Sequence, residues 1–223
     1  MNGSTAPIVR IVDDDASFLT AVARLLRASG FAVKTFASAA EFLARPELDT
    51  PGCVLVDLQM PGLSGLDLQE ALAREEEPLP VIFLTGQGDI PTSVKAMRQG
   101  AEDFLTKLAP KEDLFEAVNR AIQRDARERS GRGRIKSLKD LFNTLSPREY
   151  EVLQHVVQGK LNKQIASNLG IHERTVKLHR TAIKTKLHVD STAELTKMWL
   201  EFHSPKGLQN LLTTFHPHHS NLP

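Results

Sequence analysis

The sequence holds a single cysteine, Cys53, in 223 residues. An internal disulfide is therefore excluded, and a reducing, cytoplasmic setting is the simple expectation. Cys53 itself reads as an inert buried thiol. Long apolar runs are missing too: none approaches the ~18 residues of a membrane span, so no membrane partner is expected. The opening stretch, MNGSTAPIVR, lacks a basic segment followed by an apolar one, so no signal peptide is expected. Net charge is small, at +1, but that value hides a division. Residues 1–122 carry 11 Lys and Arg against 18 Asp and Glu, a net −7, whereas the remainder carries 17 against 9, a net +8. Such asymmetry points to different partners for two halves, with nucleic acid a candidate for the basic one. The length suits two modest domains, each burying its own core.

The stretch around which the first half is arranged is GCVLVDLQMPGLSG, from Gly52 to Gly65. Cys53–Val56 is an apolar run of the kind that forms a buried strand. Asp57 follows where that strand reaches the sheet edge, and Pro61-Gly62 turns the chain. Further strands are expected at 8–12, at 31–36, where the pattern alternates, and at 81–84 and 103–106. Between them, helical spacing marks 17–29, 38–43, 66–73, 90–98 and the stretch from Lys111 onward. Five strand–helix units in alternation predict an α/β fold: a flavodoxin-like parallel sheet covered by helices on both faces. In such a sheet, ligands gather beyond the carboxyl ends of the strands. Asp13, Asp14, Asp57, Thr85 and Lys107 all fall at such ends, so residues far apart in the chain are expected in one crevice.

Clustered carboxylates repel one another, and a hard cation such as Mg²⁺ relieves that repulsion through oxygen ligands. Asp14 and Asp57 are the expected side-chain ligands, with the backbone carbonyl of Gln59 completing the set and Asp13 bonding the metal's waters. Asp57 is the expected nucleophile, since a carboxylate attacking phosphorus gives an acyl phosphate. Lys107 is expected to pair with Asp57 before reaction and with a phosphoryl oxygen after it. The Thr85 hydroxyl is placed to bond a further oxygen. Taken singly, a DDD run is more often a helix cap, and a lone Thr or Lys after a strand is ordinary; the ordered combination is far more specific.

Residues 8–122 resemble the receiver domain of two-component response regulators. The motifs IVDDD, VDLQMPGLSG, FLTGQGD and GAEDFLTK carry the likeness. The resemblance implies phosphotransfer from a sensor histidine kinase, dependence on Mg²⁺ and slow self-dephosphorylation, with Asp57 as acceptor. It also places Phe104 at the family's aromatic switch position. Phe104 lacks a hydroxyl, so only burial of its ring could report the state of Thr85; ordinary core packing is the alternative. The chain departs from the family where Leu108 stands in place of a proline that usually follows the lysine in a cis bond. A cis bond before a non-proline residue costs roughly 2.5–4 kcal/mol. Either the bond is trans and the loop rerouted, or strain is retained.

The connector, 123–140, reads QRDARERSGRGRIKSLKD and is expected to be a solvated linker. The helix begun at Lys111 is expected to run through Arg129 and to be broken by Ser130-Gly131-Arg132-Gly133. A second, all-α domain is expected over 141–203. Ser146, Pro147 and Glu149 open a helix as N-cap, first residue and capping-box partner. A short helix over 162–169, a turn at Gly170-Ile171 and a longer helix over 172–187 give the helix-turn-helix arrangement, whose second helix enters the major groove. On that helix Val176, Ile183 and Leu187 face the core. Lys177, Leu178 and Thr181 are the candidates for base edges, and Lys163, Arg174, Thr175, Arg180 and Lys184 for phosphates. A small bundle with a solvated basic face is the alternative for any generic helix pair. Residues 143–202, through LSPREYEVL, GKLNKQIASNLGIHERTVKLHR and KLHVDSTAEL, resemble the four-helix output domain of the LuxR/FixJ type. That resemblance implies promoter DNA bound as a homodimer, contacts from a last helix over 191–202, and RNA polymerase as a further candidate partner.

The tail over 204–223 is expected to be mostly disordered. Its His216, His218 and His219 match no defined metal site. The favoured function is a phosphorylation-dependent transcriptional regulator. Two competitors remain at this point. One is a Mg²⁺ phosphohydrolase using an aspartyl phosphate, disfavoured because Gln59 stands where a second acid would be needed. The other is a DNA-binding protein with a receiver that is never phosphorylated.

Overall fold

The computed structural model describes residues 6–44, 49–86 and 90–204. The chain divides into two compact units, Met1–Arg129 and Ser130–Pro223. In the first, strands β1 (Ile8–Val12), β2 (Ala32–Phe36), β3 (Gly52–Asp57), β4 (Val81–Thr85) and β5 (Asp103–Thr106) alternate with helices. The helices are α1 (Ala16–Ala28), α2 (Ala39–Leu43), α3 (Gly65–Leu72), α4 (Ile90–Arg98) and α5 (Lys111–Phe142). All pairings are parallel, in the order β2-β1-β3-β4-β5. The flavodoxin-like expectation is met. The two faces bury separate cores, one around Val54, Val56, Leu68 and Phe83, the other around Ile11, Leu26, Leu55 and Val118. Because β3 is covered on both faces, all six of its residues are buried.

Local chemistry explains where the helices begin. Asp15 caps α1, accepting from the backbone N–H groups of Ser17 and Phe18. Ser38 caps α2 through Glu41 N, and Ser64 and Asp67 form a capping box at the start of α3. That last cap brings the helix one residue earlier than apolar spacing alone indicates. It needs Gly65: a Cβ there would lie 2.4 Å from the backbone oxygen of Asp57. Only a glycine lets α3 start this close to the end of β3.

The expected break at 130–133 is corrected by the structure. α5 is one helix from Lys111 to Phe142, and residues 123–140 are helical throughout rather than a loose linker. Two glycines in a helix cost about 1 kcal/mol each relative to alanine. Tertiary packing outweighs that cost. Before the glycines, Arg129 pairs with Asp125, a residue with no exposed surface. After them, Leu138 and Phe142 are buried in the core of the second unit, joined by Ile135 and Leu141.

The second unit adds α6 (Pro147–Val157), α7 (Asn162–Leu169), α8 (Glu173–Leu187) and α9 (Thr192–Phe202). The capping box of Ser146 with Glu149 is formed as expected, and Ser191 with Glu194 forms another at the start of α9. Between α7 and α8 the chain turns at Gly170, whose φ of +64° is left-handed. Val176, Ile183 and Leu187 face the core of this unit. Among the described residues, no helix is long and apolar enough to cross a membrane. The tail beyond Ser204, with His216, His218 and His219, lies outside the described residues.

Candidate functional site

Parallel strands bring their carboxyl ends to one edge, and that edge gathers the acidic residues. Asp13 and Asp14 follow β1, Asp57 ends β3, Thr85 ends β4, and Lys107 follows β5. Carboxylate oxygens of Asp13, Asp14 and Asp57 all lie within 4.8 Å of one another. Asp13 and Asp57 are buried, at 1% and 7% exposure, while Asp14 is open to solvent. The Lys107 ammonium enters this group, with Nζ 2.7 Å from Asp13 Oδ2 and 2.8 Å from Asp57 Oδ2. Thr85 is buried and its carbonyl accepts from Lys107 N at 2.8 Å, which fixes where the lysine leaves the sheet.

The remaining oxygens are partly committed. Asp13 Oδ1 accepts from Asp15 N at 2.9 Å, and Asp57 Oδ1 accepts from Gln59 N at 3.3 Å. Burial raises the pKa of Asp13, and the nearby Lys107 ammonium offsets part of that rise. Burial also works against the Lys107 ammonium, yet its bonds to Asp13 and Asp57 outweigh it and hold its pKa above the ordinary value. The ammonium is therefore charged at neutral pH. Asp13 and Asp57 then share one ammonium, and Asp14 adds a third carboxylate to the cluster. An all-oxygen donor set with excess negative charge fits a hard divalent cation.

The Leu108 alternative resolves in favour of a trans bond, since no cis peptide occurs among the described residues. Leu108 is 93% exposed and sits with Lys107 inside a turn closed by Ala109 N on Thr106 O. Lys107 keeps its aim at Asp57 nonetheless. Phe104 is half-buried and lies across from Phe83, with ring centroids 5.9 Å apart. One contact escaped sequence reasoning: the Lys107 ammonium sits 4.5 Å from the centroid of the Phe18 ring. No spacing in the sequence links Phe18 on α1 to a lysine after β5.

In the second unit, Lys163, Arg174, Lys177, Leu178 and Thr181 are exposed, Leu178 at 64%. Thr175 is half-buried. Arg180 and Lys184 differ from the others by holding the fold. Arg180 donates to Asn162 Oδ1 and Thr192 Oγ1, both at 3.1 Å, so it joins α8 to α7 and α9. Lys184 Nζ donates to the carbonyl of Asp190 at 2.7 Å. These two braces also escaped the sequence, where a basic helix face reads as uniformly free.

Comparison with known proteins agrees with this division. Residues 9–119 match the response regulator receiver domain, and residues 143–199 match the luxR family of bacterial regulatory proteins. Nodulation protein W of Bradyrhizobium diazoefficiens is 44% identical over 87% of this chain and 86% of its own length. The response regulator protein TodT of Pseudomonas putida is 42% identical over 86% of this chain and 85% of its own. The solved structure of the response regulator StyR superposes with a TM-score of 0.79, at 42% identity, covering 87% of this chain and 98% of that one.

Proposed function

The chain belongs to the two-component response regulators with a LuxR-type output domain, and from that premise we propose that phosphorylation of Asp57 governs its binding to promoter DNA. A receiver joined to a DNA-binding domain makes it a transcriptional regulator rather than a metabolic catalyst. The observation that carries the proposal is the position of Asp57. It is a buried carboxylate at a strand end, held by one ammonium and beside two further carboxylates.

A sensor histidine kinase is the donor in this reading. An Asp57 oxygen attacks the phosphorus of a phosphohistidine. The P–N bond breaks and its electron pair returns to the imidazole nitrogen, while a new P–O bond forms on Asp57. Lys107 then exchanges its bond to Asp57 for one to a phosphoryl oxygen, and the Thr85 hydroxyl donates to another. Asp14, Asp57 and the Gln59 carbonyl would hold Mg²⁺, with Asp13 orienting its waters. The metal supplies charge compensation as the phosphoryl group approaches. Attack of water on the same phosphorus later returns Asp57 to its starting state.

Phosphorylation replaces a single negative charge by roughly −2. The response is read through the surface formed by α4, β5 and the start of α5, where two receivers pair. Pairing raises the effective concentration of two α8 helices on a twofold site. There Lys177, Leu178 and Thr181 read base edges, and Lys163, Arg174, Thr175, Arg180 and Lys184 hold phosphates. Arg180 and Lys184 do so only as far as their internal bonds allow. RNA polymerase is a further partner in this reading, and the cytoplasm is the compartment where all of these meet.

Incubation with acetyl phosphate and Mg²⁺ tests the acceptor. Wild-type protein is expected to gain the mass of one phosphoryl group, and Asp57→Asn none. Equal gain in the variant would reassign the site.

A further inference from the structure

We infer that Phe18 is a positioning residue for Lys107, its ring face holding the ammonium in line with Asp57 through a cation–π contact. The inference rests on the reading of Asp57 as phosphoryl acceptor. An ammonium has three N–H donors. One is donated to Asp57 Oδ2 at 2.8 Å, and Asp13 Oδ2 lies 2.7 Å from Nζ as an ion pair. The Phe18 ring lies 4.5 Å away and offers its negative face to the same cation. With a lysine side chain only 18% exposed, little water competes for that contact.

The ring is itself held in place. Phe18 N donates to Asp15 Oδ1, the cap that starts α1 directly after the acidic residues. Its side chain packs against the core that contains Leu19 and Leu114. Phe18 is thus tied to the segment carrying Asp13 and Asp14, while Lys107 arrives from β5. The ring couples these two segments across the mouth of the pocket.

The loop after Lys107 makes such a hold useful. Leu108 follows in a trans peptide and is 93% exposed, so its side chain packs on nothing that would restrain the lysine. A flexible four-carbon stem is then fixed at its far end, by two carboxylates and one ring. When Asp57 takes up a phosphoryl group, the lysine leaves its bond to the Asp57 carboxylate. The ring keeps the ammonium within reach of the new oxygens during that exchange.

The test has two readouts on the full-length protein. In the unphosphorylated state, the ring current of Phe18 should move the Lys107 Cε protons upfield. Phe18→Leu should abolish that displacement and Phe18→Tyr should keep it. With acetyl phosphate and Mg²⁺, Phe18→Leu should take up phosphoryl about fivefold more slowly than wild type, within the usual range for a shielded cation–π contact. Phe18→Tyr should react at the wild-type rate. Phe18→Met, which fills the space without a ring, should behave as Phe18→Leu and guards against a folding defect in the latter. Unshifted Lys107 protons in wild type, or wild-type rates in both ringless variants, would overturn the inference. If wild type took up no phosphoryl group, the assignment of Asp57 would fall, and the proton shift alone would decide the role of Phe18.

Discussion

At the amino end of the sheet, Arg10 and Arg129 stand with Asp125 and Glu77, two positive charges against two negative; at the carboxyl end, Lys107 stands alone among Asp13, Asp14 and Asp57. Arg10 and Asp125 at one end, and Asp13 and Asp57 at the other, are buried. At the amino end the bonding is dense. Asp125 has no exposed surface and accepts from Gly52 N at 2.8 Å and from Arg129 Nε at 2.9 and 3.0 Å. Arg129 also reaches Glu77 and the carbonyl of Asp49. Arg10, 1% exposed, donates to the carbonyls of Ile8 and Thr50. Its pKa is lowered by burial, against which the field of Cys53 and Asp125 works. Balance of this kind locks a structure. The imbalance at the other end leaves a net negative charge that only an added cation could offset.

Breaking the balanced end should have the largest effect on stability. Asp125→Ala removes the buried carboxylate partner of Arg129 and the acceptor of Gly52 N. A loss of about 3–5 kcal/mol is expected, as for other buried pairs deprived of one partner. Urea unfolding followed by circular dichroism measures it. An unchanged midpoint would show that the network is not what fixes α5 to the sheet.

The unbalanced end should respond with the opposite sign. Asp13→Asn removes one of three crowded carboxylates, and Lys107 retains Asp57. In metal-free buffer at neutral pH a gain on the order of 1 kcal/mol is expected, typical of relieving an unfavourable charge. Burial holds the Asp13 pKa above its ordinary value, so the folded state binds this proton more tightly than the unfolded one. The penalty is absent at acid pH and grows as pH rises through the carboxylate range. The advantage of the variant should therefore increase with pH, and Mg²⁺ should narrow it by stabilising wild type.

Glu149 extends the comparison to the second unit, with the smallest effect. The hydrogen bond from Lys186, with that from Ser146 N, holds its pKa below the ordinary value. A depressed carboxylate contributes stability above its unfolded pKa of about 4.3. That contribution is lost as pH falls through the folded value. The difference between wild type and Glu149→Gln should thus be present at neutral pH and vanish in acid, the reverse of the trend for Asp13. Parallel curves across pH would contradict this assignment.

These two ends were not equally legible in the amino-acid sequence. Asp13, Asp57, Thr85 and Lys107 could be read because strand ends in a parallel sheet converge by topology, whatever the side chains do. Arg10 sits in the middle of IVRIV and looks like the polar member of an alternating strand. Asp125 and Arg129 look like an ordinary helix pair. Their burial arises from the approach of α5 to the starts of β1 and β3, which no local pattern encodes. The unbroken α5 was hidden for the same reason: Gly131 and Gly133 state a local preference, and distant packing overrides it. Phe18 beneath Lys107 and the Arg180 brace belong with these. Each joins elements whose spacing in sequence carries no period. The helix-turn-helix was legible because capping boxes, Gly170 and the core stripe of α8 are all local signals.

If charge added at Asp57 controls how two copies hold DNA, affinity must follow phosphorylation. The most direct measurement is fluorescence anisotropy on a site selected from random duplexes, before and after treatment with acetyl phosphate and Mg²⁺. Treatment is expected to tighten wild-type binding by about tenfold or more, through pairing, on a site with twofold symmetry. Asp57→Asn should bind weakly and unchanged in both conditions. Equal affinity of treated and untreated wild type, despite a full phosphoryl mass gain, would contradict that control.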